Sequence, residues 1–344
     1  MAANTQQVRA WTYTHSGYPQ SLQFSTVSAP TLEDVNPNHI LVKIHAAALN
    51  PVDIQMMNLP IWSIPVHTFN GPKVSSSDFS GTVLAAGQRT GFKQGDEVFG
   101  VTMSPFKECG GTLSEIAHLD LANTTVAKKP KGWSFEQAAG LGIVWLTART
   151  CVELCAPYVD PTPSKKIAML GGSSAAGIYT IMIAKQRGWK VITTCSGRNA
   201  DFVTQTLGAD EVVDYTKENV RSNLTAFKPD AVIDCVGGVE AIGLSKRYVT
   251  IVGDKTSRTS MGGSFTYLYS PRQWLRWAFG RLGLCERYDC IVLDQNREYL
   301  EEATKLGPDQ IFIDSTFAFE DAKQAFERLN TGRARGKVIV QVAV

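Results

Sequence analysis

The feature that most constrains the fold is a run of small residues between a buried strand and a helix. Residues 167–170 are wholly apolar, residues 171–177 are only Gly, Ser and Ala, and apolar residues at helical spacing follow up to Gly188. An unbroken apolar strand is typical of a parallel sheet that is covered on both faces. Strand and helix patterns alternate from here to residue 293, which predicts a doubly wound parallel sheet in an α/β chain.

The small-residue turn also predicts a phosphate site. Small residues let backbone N–H groups approach a pyrophosphate, and the following helix N-terminus adds positive potential. Gly171 or Gly172 fits the tight turn and Gly177 the helix–strand contact, but the middle position of the glycine fingerprint is Ser or Ala. A tight turn without a ligand is the alternative. The candidate dinucleotide-binding residues are Gly172, Ser173, Ser174, Ala175, Ala176 and Gly177.

The end of the second strand indicates which dinucleotide binds. An NAD site places Asp or Glu there, on the ribose 2′-hydroxyl. Residues 193–199 contain no acid, and the first one is Asp201. Ser196 and Arg198 can donate hydrogen bonds to a 2′-phosphate, which favours NADP over NAD. The alternative is an ordinary surface arginine beside a loop.

The N-terminal part has a different pattern. Short apolar segments such as 8–13, 22–27 and 40–46 are separated by Gly and Pro, which predicts an irregular β-barrel. Ile40, Val42 and Ile44 are expected on one face of their strand. Ser134 is a plausible N-cap for the helix with which the alternating part begins. The chain ends in a predicted helix at 319–329 and a strand at 337–340.

Composition narrows the function classes. A length of 344 residues suits two domains, and a net charge of +2 indicates neither nucleic acid nor an anionic membrane as a partner. Seven scattered cysteines without a Cys-x-x-Cys pair favour a reducing compartment over a disulfide framework. No apolar run is long enough to span a bilayer, and we expect a cytoplasmic protein.

The residues of a zinc site are missing from the pattern. A catalytic zinc needs three protein ligands, among which cysteine is prominent. None of the five histidines lies in a Cys- or Glu-paired motif, and Cys109 is the only cysteine before Cys151. Cys151 and Cys155 share a helical face and are expected to be buried as small apolar residues. We therefore expect no metal site.

Several ordered motifs carry a family resemblance over essentially the whole chain. They lie at 48–53, 77–81, 95–100, 110–115, 146–148, 207–215, 234–238 and 332–337. With them the chain resembles the zinc-independent quinone oxidoreductase branch of the medium-chain dehydrogenases/reductases. It is most similar there to reticulon-interacting-type oxidoreductases and fungal enoyl-reductase relatives. The resemblance implies a GroES-like β-barrel domain (1–135 and 300–344), a Rossmann domain (136–299), and nicotinamide and substrate in the cleft between them.

The resemblance also implies roles for single residues. Asn50 stands where zinc-dependent relatives carry a ligating cysteine, and Ser77 and Asp78 where they carry His and Glu. Thr147 is implied near the nicotinamide. The remaining implied cofactor contacts are Ser196, Arg198 and Tyr215 at the 2′-phosphate, Val236 and Gly237 beneath the cofactor, and Arg335, Gly336 and Lys337 in the tail.

Together these patterns predict an NADPH-dependent reductase. Hydride would add to an activated C=C bond of an enone or enoyl compound, including a polyketide-like one, or to a quinone. Backbone N–H groups, Asn50 or a water would stabilise the developing enolate oxygen. Asp53 is either a general acid or a structural partner in its loop. The alternatives are a non-catalytic NADPH-binding scaffold and, less favoured, a zinc alcohol dehydrogenase.

Two further expectations concern partners. The expected partner is a small electrophilic molecule, and the chain is expected as a monomer or as a homodimer that pairs through the strand at 288–293. Between 267 and 281 aromatic residues alternate with arginines. This segment would form a substrate-pocket wall, an amphipathic helix that faces a partner or membrane, or plain packing on the sheet.

Overall fold

The computed structural model describes residues 7–31, 35–58, 72–103, 111–254 and 270–343. It divides into two compact units, residues 1–143 with 295–344 and residues 144–294. The first unit is thus built from both ends of the chain, and the second is continuous. Compared with the expected domain, 1–135 and 300–344, this unit extends eight residues further at the first boundary and five at the second.

The first unit contains two sheets. Strands β2-β1-β4 form an antiparallel sheet, and a larger sheet has the order β15-β16-β3-β5-β6-β8, with β7 also paired to β3. The strands are β1 (Gln7–Tyr13), β2 (Gln23–Ser28), β3 (His39–Leu49), β4 (Lys73–Val74), β5 (Asp78–Ala86), β6 (Glu97–Thr102), β7 (Ile116–Asp120), β8 (Thr124–Lys128), β15 (Ile313–Ala318) and β16 (Lys337–Gln341).

Strand β3 shows why its alternation is only partly visible. Ile40, Val42 and Ile44 are fully buried as predicted, but Leu41 on the other face is only 3% exposed. The strand pairs with β5, β7 and β16, and on its second face Phe135 of helix α2 (Phe135–Ala139) stacks on His45 at 4.1 Å. This face is only partly covered, because Lys43 is exposed and His45 is half-buried.

The described residues of the first unit form four α-helices. They are α1 (Pro51–Met57), α2 (Phe135–Ala139), α7 (Arg297–Ala303) and α8 (Ala322–Asn330). Ser134 caps α2 as predicted, because its hydroxyl accepts from the Gln137 N–H. The C-terminal helix predicted at 319–329 begins as a 3₁₀ turn, Phe319–Asp321, before α8.

The second unit is a six-stranded parallel sheet with the order β11-β10-β9-β12-β13-β14. Numbered within the unit, this is 3-2-1-4-5-6, the order of a dinucleotide-binding Rossmann fold. The strands are β9 (Lys166–Leu170), β10 (Lys190–Cys195), β11 (Glu211–Asp214), β12 (Ala231–Asp234), β13 (Arg247–Thr250) and β14 (Arg287–Cys290). The helices are α3 (Gly142–Val159, which begins at the boundary), α4 (Ala175–Gln186), α5 (Val220–Phe227) and α6 (Pro271–Arg281).

The core of the second unit explains the apolar strands. Ile167, Ala168 and Met169 of β9 are fully buried, and Tyr248 of β13 stacks on Tyr288 of β14 at 5.5 Å. The strand order reverses between β9 and β12, so the loops after these two strands run apart. In such sheets ligands bind at the carboxyl ends of the strands at this reversal.

Candidate active site

The turn after β9 depends on two glycines. Gly171 has a φ of +86°, which glycine adopts without strain. A Cβ atom on Gly172 would lie 2.1 Å from Oγ1 of Thr193. Both backbone N–H groups are fixed by Thr194, because Gly171 donates to its Oγ1 and Gly172 to its carbonyl oxygen, each at 3.0 Å. The turn is therefore anchored to β10 as well as to β9.

Helix α4 begins with a side-chain cap on its first turn. Ser174 is the N-cap, and its Oγ accepts from the Gly177 N–H at 3.1 Å. A Cβ atom on Gly177 would lie 2.2 Å from the Gly171 carbonyl oxygen, so glycine is required here. Among the described residues, the N–H groups of Ala175 and Ala176 meet no acceptor, as expected in a first helical turn. The serine in the middle of the fingerprint is thus a cap, and the predicted phosphate site at this helix end stays a prediction.

The loop after β10 lies against this turn. Ser196 precedes the 3₁₀ turn Gly197–Asn199. The Asn199 Nδ2 donates to Oγ of Ser173 at 3.1 Å and to Oγ of Ser196 at 3.4 Å. Arg198 is exposed. The predicted pyrophosphate and 2′-phosphate residues are therefore neighbours.

An acid also lies beside this loop. Asp214 ends β11, and a Cβ atom on Gly197 would come within 2.5 Å of its Oδ2. Hydrogen bonds from Thr216 hold the pKa of Asp214 below its usual value. Tyr215, predicted at the 2′-phosphate, follows directly and is 44% exposed. The predicted cation Arg198 therefore shares this region with a fixed negative charge.

The loop after β12 is organised by a buried carboxylate. Asp234 is fully buried and accepts from the N–H groups of Val236 at 2.9 Å and Gly237 at 2.8 Å. Burial raises its pKa, which the hydrogen bonds oppose. A Cβ atom on Gly171 would lie 2.3 Å from Cγ1 of Val236. Val236 and Gly237 thus lie against the turn after β9, at the reversal of strand order.

A buried polar cluster lies in the first unit where β3, β5 and β16 meet. The Lys337 Nζ donates to Asn50 Oδ1 at 2.6 Å and to Asp78 Oδ2 at 2.9 Å. The Asn50 Nδ2 donates to the same Asp78 oxygen at 3.0 Å and to the Ala48 carbonyl oxygen at 3.2 Å. The other Asp78 oxygen accepts from the Ile143 N–H at 2.7 Å. Asn50, Asp78 and Lys337 are at most 2% exposed, so an ammonium bridges the two positions implied to replace zinc ligands.

Asp53 is a structural partner in the same cluster. One of its oxygens accepts from the Asn50 N–H at 2.7 Å, and the other from Oγ of Ser77 at 3.1 Å. It is 4% exposed, and burial, with the nearby Asp78 charge, raises its pKa to about 7. Each oxygen of Asp53 thus accepts a hydrogen bond, which favours the structural alternative of the two predicted for it.

The remaining predicted residues divide between the units. Thr147 lies on α3 in the second unit and is 7% exposed. Arg335 is exposed in the first unit, and its N–H donates to Asp314 at 2.8 Å. Gly336 has a φ of +97°, and a Cβ atom there would lie 2.3 Å from the Phe312 carbonyl oxygen. A tight turn therefore aims Lys337 into the polar cluster.

No metal-binding group forms within the described part of the chain, where no three His, Cys, Asp or Glu side chains come together as ligands. Cys151 and Cys155 are fully buried as predicted, and burial raises the pKa of the Cys151 thiol. Cys109 lies outside the described residues. In the described ranges, no helix has the length and apolar character needed to cross a bilayer.

The aromatic and arginine segment is partly described. Tyr267 and Tyr269 lie outside the described residues, whereas Trp274, Trp277 and Phe279 lie on α6. The helix packs against β14, but these three side chains are 59%, 39% and 46% exposed. Plain packing on the sheet therefore explains the helix but not its aromatic residues.

Comparison with known proteins identifies the family. Residues 36–140 match the alcohol dehydrogenase GroES-like domain, and residues 207–340 match the family described as zinc-binding dehydrogenase. The mitochondrial NAD(P)H oxidoreductase RTN4IP1 of Bos taurus is 30% identical over 97% of this chain and 89% of its own length. The trans-enoyl reductase pgmF of Aspergillus terreus is 30% identical over 97% of this chain and 96% of its own length. The chain belongs to the medium-chain dehydrogenase/reductase family.

The fold of this dehydrogenase/reductase agrees with that assignment. A quinone oxidoreductase from Coxiella burnetii superposes with a TM-score of 0.79 and is 27% identical, over 98% of this chain and 100% of that one. The predicted resemblance and the fold class, a GroES-like domain with a Rossmann domain, are confirmed. The protein is an NAD(P)H oxidoreductase of this family with quinone oxidoreductase and enoyl reductase relatives.

Three polar residues of this dehydrogenase/reductase site were not assigned a role from sequence. They are Asn199, which bridges two loops, Asp214, which lies beside Gly197, and Asp234, which holds the loop after β12. Each lies at or just beyond the carboxyl end of a parallel strand, the edge at which ligands bind in such sheets. Their position at the ends of predicted strands is the sequence feature that could have identified them.

Proposed function

We propose that this protein is an NADPH-dependent reductase that delivers hydride to an activated C=C bond or to a quinone. The observation that carries the proposal is the turn after β9. Its glycines are sterically required, and the N–H groups of Ala175 and Ala176 lie at a helix end that favours anions. When bound, the nicotinamide supplies the hydride, and the protein has to position it.

The preference for NADPH rests on Ser196 and Arg198. Both follow β10, the strand whose end approaches the ribose 2′-position in this fold. An exposed guanidinium can form charge-assisted hydrogen bonds with a phosphate. Asp214 opposes this preference, but Thr216 donates to its Oδ1 from both backbone and hydroxyl, at 3.0 and 2.6 Å. The Asp214 carboxylate is therefore already engaged in hydrogen bonds, whereas the exposed Arg198 guanidinium can bind a phosphate.

On the substrate side we assign Asn50 a positioning role. The predicted donation from its side chain to an enolate oxygen is limited, because its amide already donates to Asp78 and Ala48 and its Oδ1 accepts from Lys337. An enolate oxygen is therefore better served by a backbone N–H group or a water. The ammonium of Lys337 between Asn50 and Asp78 supports a zinc-free site, since a metal ion there would meet a positive charge.

The test is turnover with purified protein. NADPH oxidation is followed with a panel of enones, enoyl thioesters and quinones, with NADH as the control cofactor and metal analysis of the same sample. We expect turnover that prefers NADPH and a protein with less than about one zinc per ten chains. Turnover with NADH alone contradicts the 2′-phosphate assignment, and stoichiometric zinc contradicts the zinc-free site.

A non-catalytic NADPH-binding scaffold is the second candidate. It is favoured by the serine in place of the middle glycine, since its side chain stands where a pyrophosphate approaches closely in complete fingerprints. Fluorescence titration with NADPH separates the two functions. Binding without turnover on any member of the panel would assign the scaffold role.

We also propose a reducing compartment, the cytoplasm, and a small-molecule substrate. The six described cysteines are all free, which supports the reducing compartment, although the relative from Bos taurus is named as mitochondrial. Strand β14 ends the Rossmann sheet, which supports the homodimer option. Cell fractionation and sedimentation velocity test these two proposals.

A further inference from the structure

One side-chain amide, that of Asn199, contacts two loops at the same edge of the Rossmann sheet. Its Nδ2 donates to Oγ of Ser173 at 3.1 Å and to Oγ of Ser196 at 3.4 Å. Ser173 lies in the turn between β9 and α4, and Ser196 comes directly after β10. Because β9 and β10 are paired parallel strands, both hydroxyl groups lie at the carboxyl ends of the strands, where ligands bind in such sheets.

The backbone holds this amide in place. The Asn199 N–H donates to the Ser196 carbonyl oxygen at 2.8 Å, which closes the 3₁₀ turn Gly197–Asn199. A Cβ atom on Gly197 would come within 2.5 Å of Oδ2 of Asp214, so the glycine allows the turn to pack against the end of β11. The amide is therefore kept beside the two hydroxyl groups by the turn itself.

The direction of these hydrogen bonds limits what the two hydroxyl groups can do. A serine hydroxyl has one O–H donor and two lone pairs, whereas an amide nitrogen has two N–H donors and accepts nothing. Each hydroxyl group uses a lone pair toward Asn199, and its hydrogen has to point elsewhere. Within the described ranges neither Ser173 nor Ser196 donates a hydrogen bond from its hydroxyl group. Both residues are partly exposed, so both hydrogens are available to a ligand.

Two outward hydroxyl donors match the phosphates of the proposed cofactor. An ionised phosphate oxygen only accepts hydrogen bonds. In this fold the pyrophosphate lies at the N-terminus of the helix after the first strand, and the ribose 2′-position lies at the end of the second strand. Ser173 is beside the first of these places and Ser196 beside the second. Hydroxyl groups that donated to residue 199 instead would present lone pairs to the phosphates and repel them.

We propose that Asn199 is a positioning residue that turns the hydroxyl hydrogens of Ser173 and Ser196 toward the phosphates of NADPH. Donors that are oriented in advance raise the affinity, because less ordering is left for the binding step. Asn199 acts through the two serines and needs no contact with the cofactor. The inference rests on the proposed dinucleotide site and not on hydride transfer, so it applies to a reductase and to a binding scaffold.

Asn199→Asp tests the direction of the hydrogen bonds. A carboxylate has the shape of the amide, but it only accepts, so both hydroxyl groups would turn their hydrogens toward it. The contacts between the loops are kept, whereas the donors to the phosphates are lost. We expect the Kd for NADPH, from fluorescence titration, to rise about 100-fold while the thermal denaturation midpoint stays the same. Wild-type affinity in this variant would show that Asn199 only joins the two loops.

The same substitution in a Ser173→Ala/Ser196→Ala background separates this effect from the added negative charge. There the carboxylate still repels the phosphates, but no hydroxyl group can be turned. We expect Asn199→Asp to raise the Kd for NADPH by less than about tenfold in this background. An equal factor in both backgrounds overturns the proposal, because charge alone would explain the loss. Asn223→Asp, at a partly exposed position of α5, is the matched control and should bind like wild type.

Asn199→Ala distinguishes the two serines, because it leaves both hydroxyl groups free to rotate. We expect the Kd for NADPH to rise about tenfold and that for NADH only about threefold, since NADH has no phosphate beside Ser196. Equal weakening of both cofactors would overturn the role of Ser196. Wild-type protein that binds neither dinucleotide would overturn the proposed function itself, whereas the outcomes above leave wild-type binding intact and overturn only the role of Asn199.

Discussion

The polar cluster around Lys337 and the turn after β9 differ in whether their polar groups are satisfied within the chain. In the cluster, Asn50, Asp78 and Lys337 bond one another and are buried. At the turn, the donors of Ala175 and Ala176 meet no acceptor within the described residues. A buried polar group whose hydrogen bonds are all made within the chain stabilises the local structure, whereas a donor without an acceptor can bind a ligand. We therefore expect the cluster to maintain the first unit and the turn to bind the cofactor.

Replacing Lys337 should give the largest effect. Lys337→Met leaves the Asp78 carboxylate buried without its cation, and removal of one partner of a buried pair costs about 3–5 kcal/mol. We expect that loss in the free energy of unfolding, measured by urea denaturation. Lys190→Met, on an exposed position of β10, is the control and should stay within about 0.5 kcal/mol. Equal stability of the two variants would show that the cluster does not maintain the unit.

Asp53 gives this cluster a pH dependence. Burial raises its folded-state pKa to about 7, so the folded state keeps a proton that the unfolded chain releases near pH 4. The contribution of Asp53 to the free energy of unfolding should therefore fall as pH rises from about 4 to about 7, by up to about 4 kcal/mol. Asp53→Asn, which preserves the shape, should flatten this slope.

The control for this pH dependence is Asp201→Asn, at an exposed position. Urea denaturation of wild type and both variants at about pH 5 and about pH 8 measures the slope. A wild-type slope in Asp53→Asn would mean that Asp53 is ionised in the folded state throughout this range.

The same comparison shows what sequence could predict. The turn after β9 is local: one strand, seven small residues and one helix specify it, and the alternation after it predicts a doubly wound parallel sheet. The cluster joins Asp78 to Lys337, 259 positions apart. The residues next to either one in the sequence do not indicate that the two side chains pair. The outward apolar side of α6 was likewise undetermined, because the inner contact, Asp254 with Arg276, forms only in the tertiary fold.

Within the turn, Gly177 should be the most sensitive position. A methyl group there would overlap the Gly171 carbonyl oxygen, at 2.2 Å, and displace the helix end from the phosphate. We expect Gly177→Ala to weaken NADPH binding by about 100-fold, as measured by fluorescence titration. Gly132→Ala, where a Cβ atom would meet open space, should bind like wild type. Unchanged NADPH binding in Gly177→Ala would show that the turn is not part of the cofactor site.

The smallest effect tests the most specific part of the proposal. If Arg198 contacts a 2′-phosphate, Arg198→Gln loses one charge-assisted hydrogen bond, and the Kd for NADPH should rise about tenfold. The Kd for NADH should not change, because NADH has no phosphate at that position. Asp214→Asn should act in the opposite direction and tighten NADPH, since it removes the negative charge beside Gly197. Equal weakening of both cofactors in Arg198→Gln would mean that the arginine shapes the loop and does not select the phosphate.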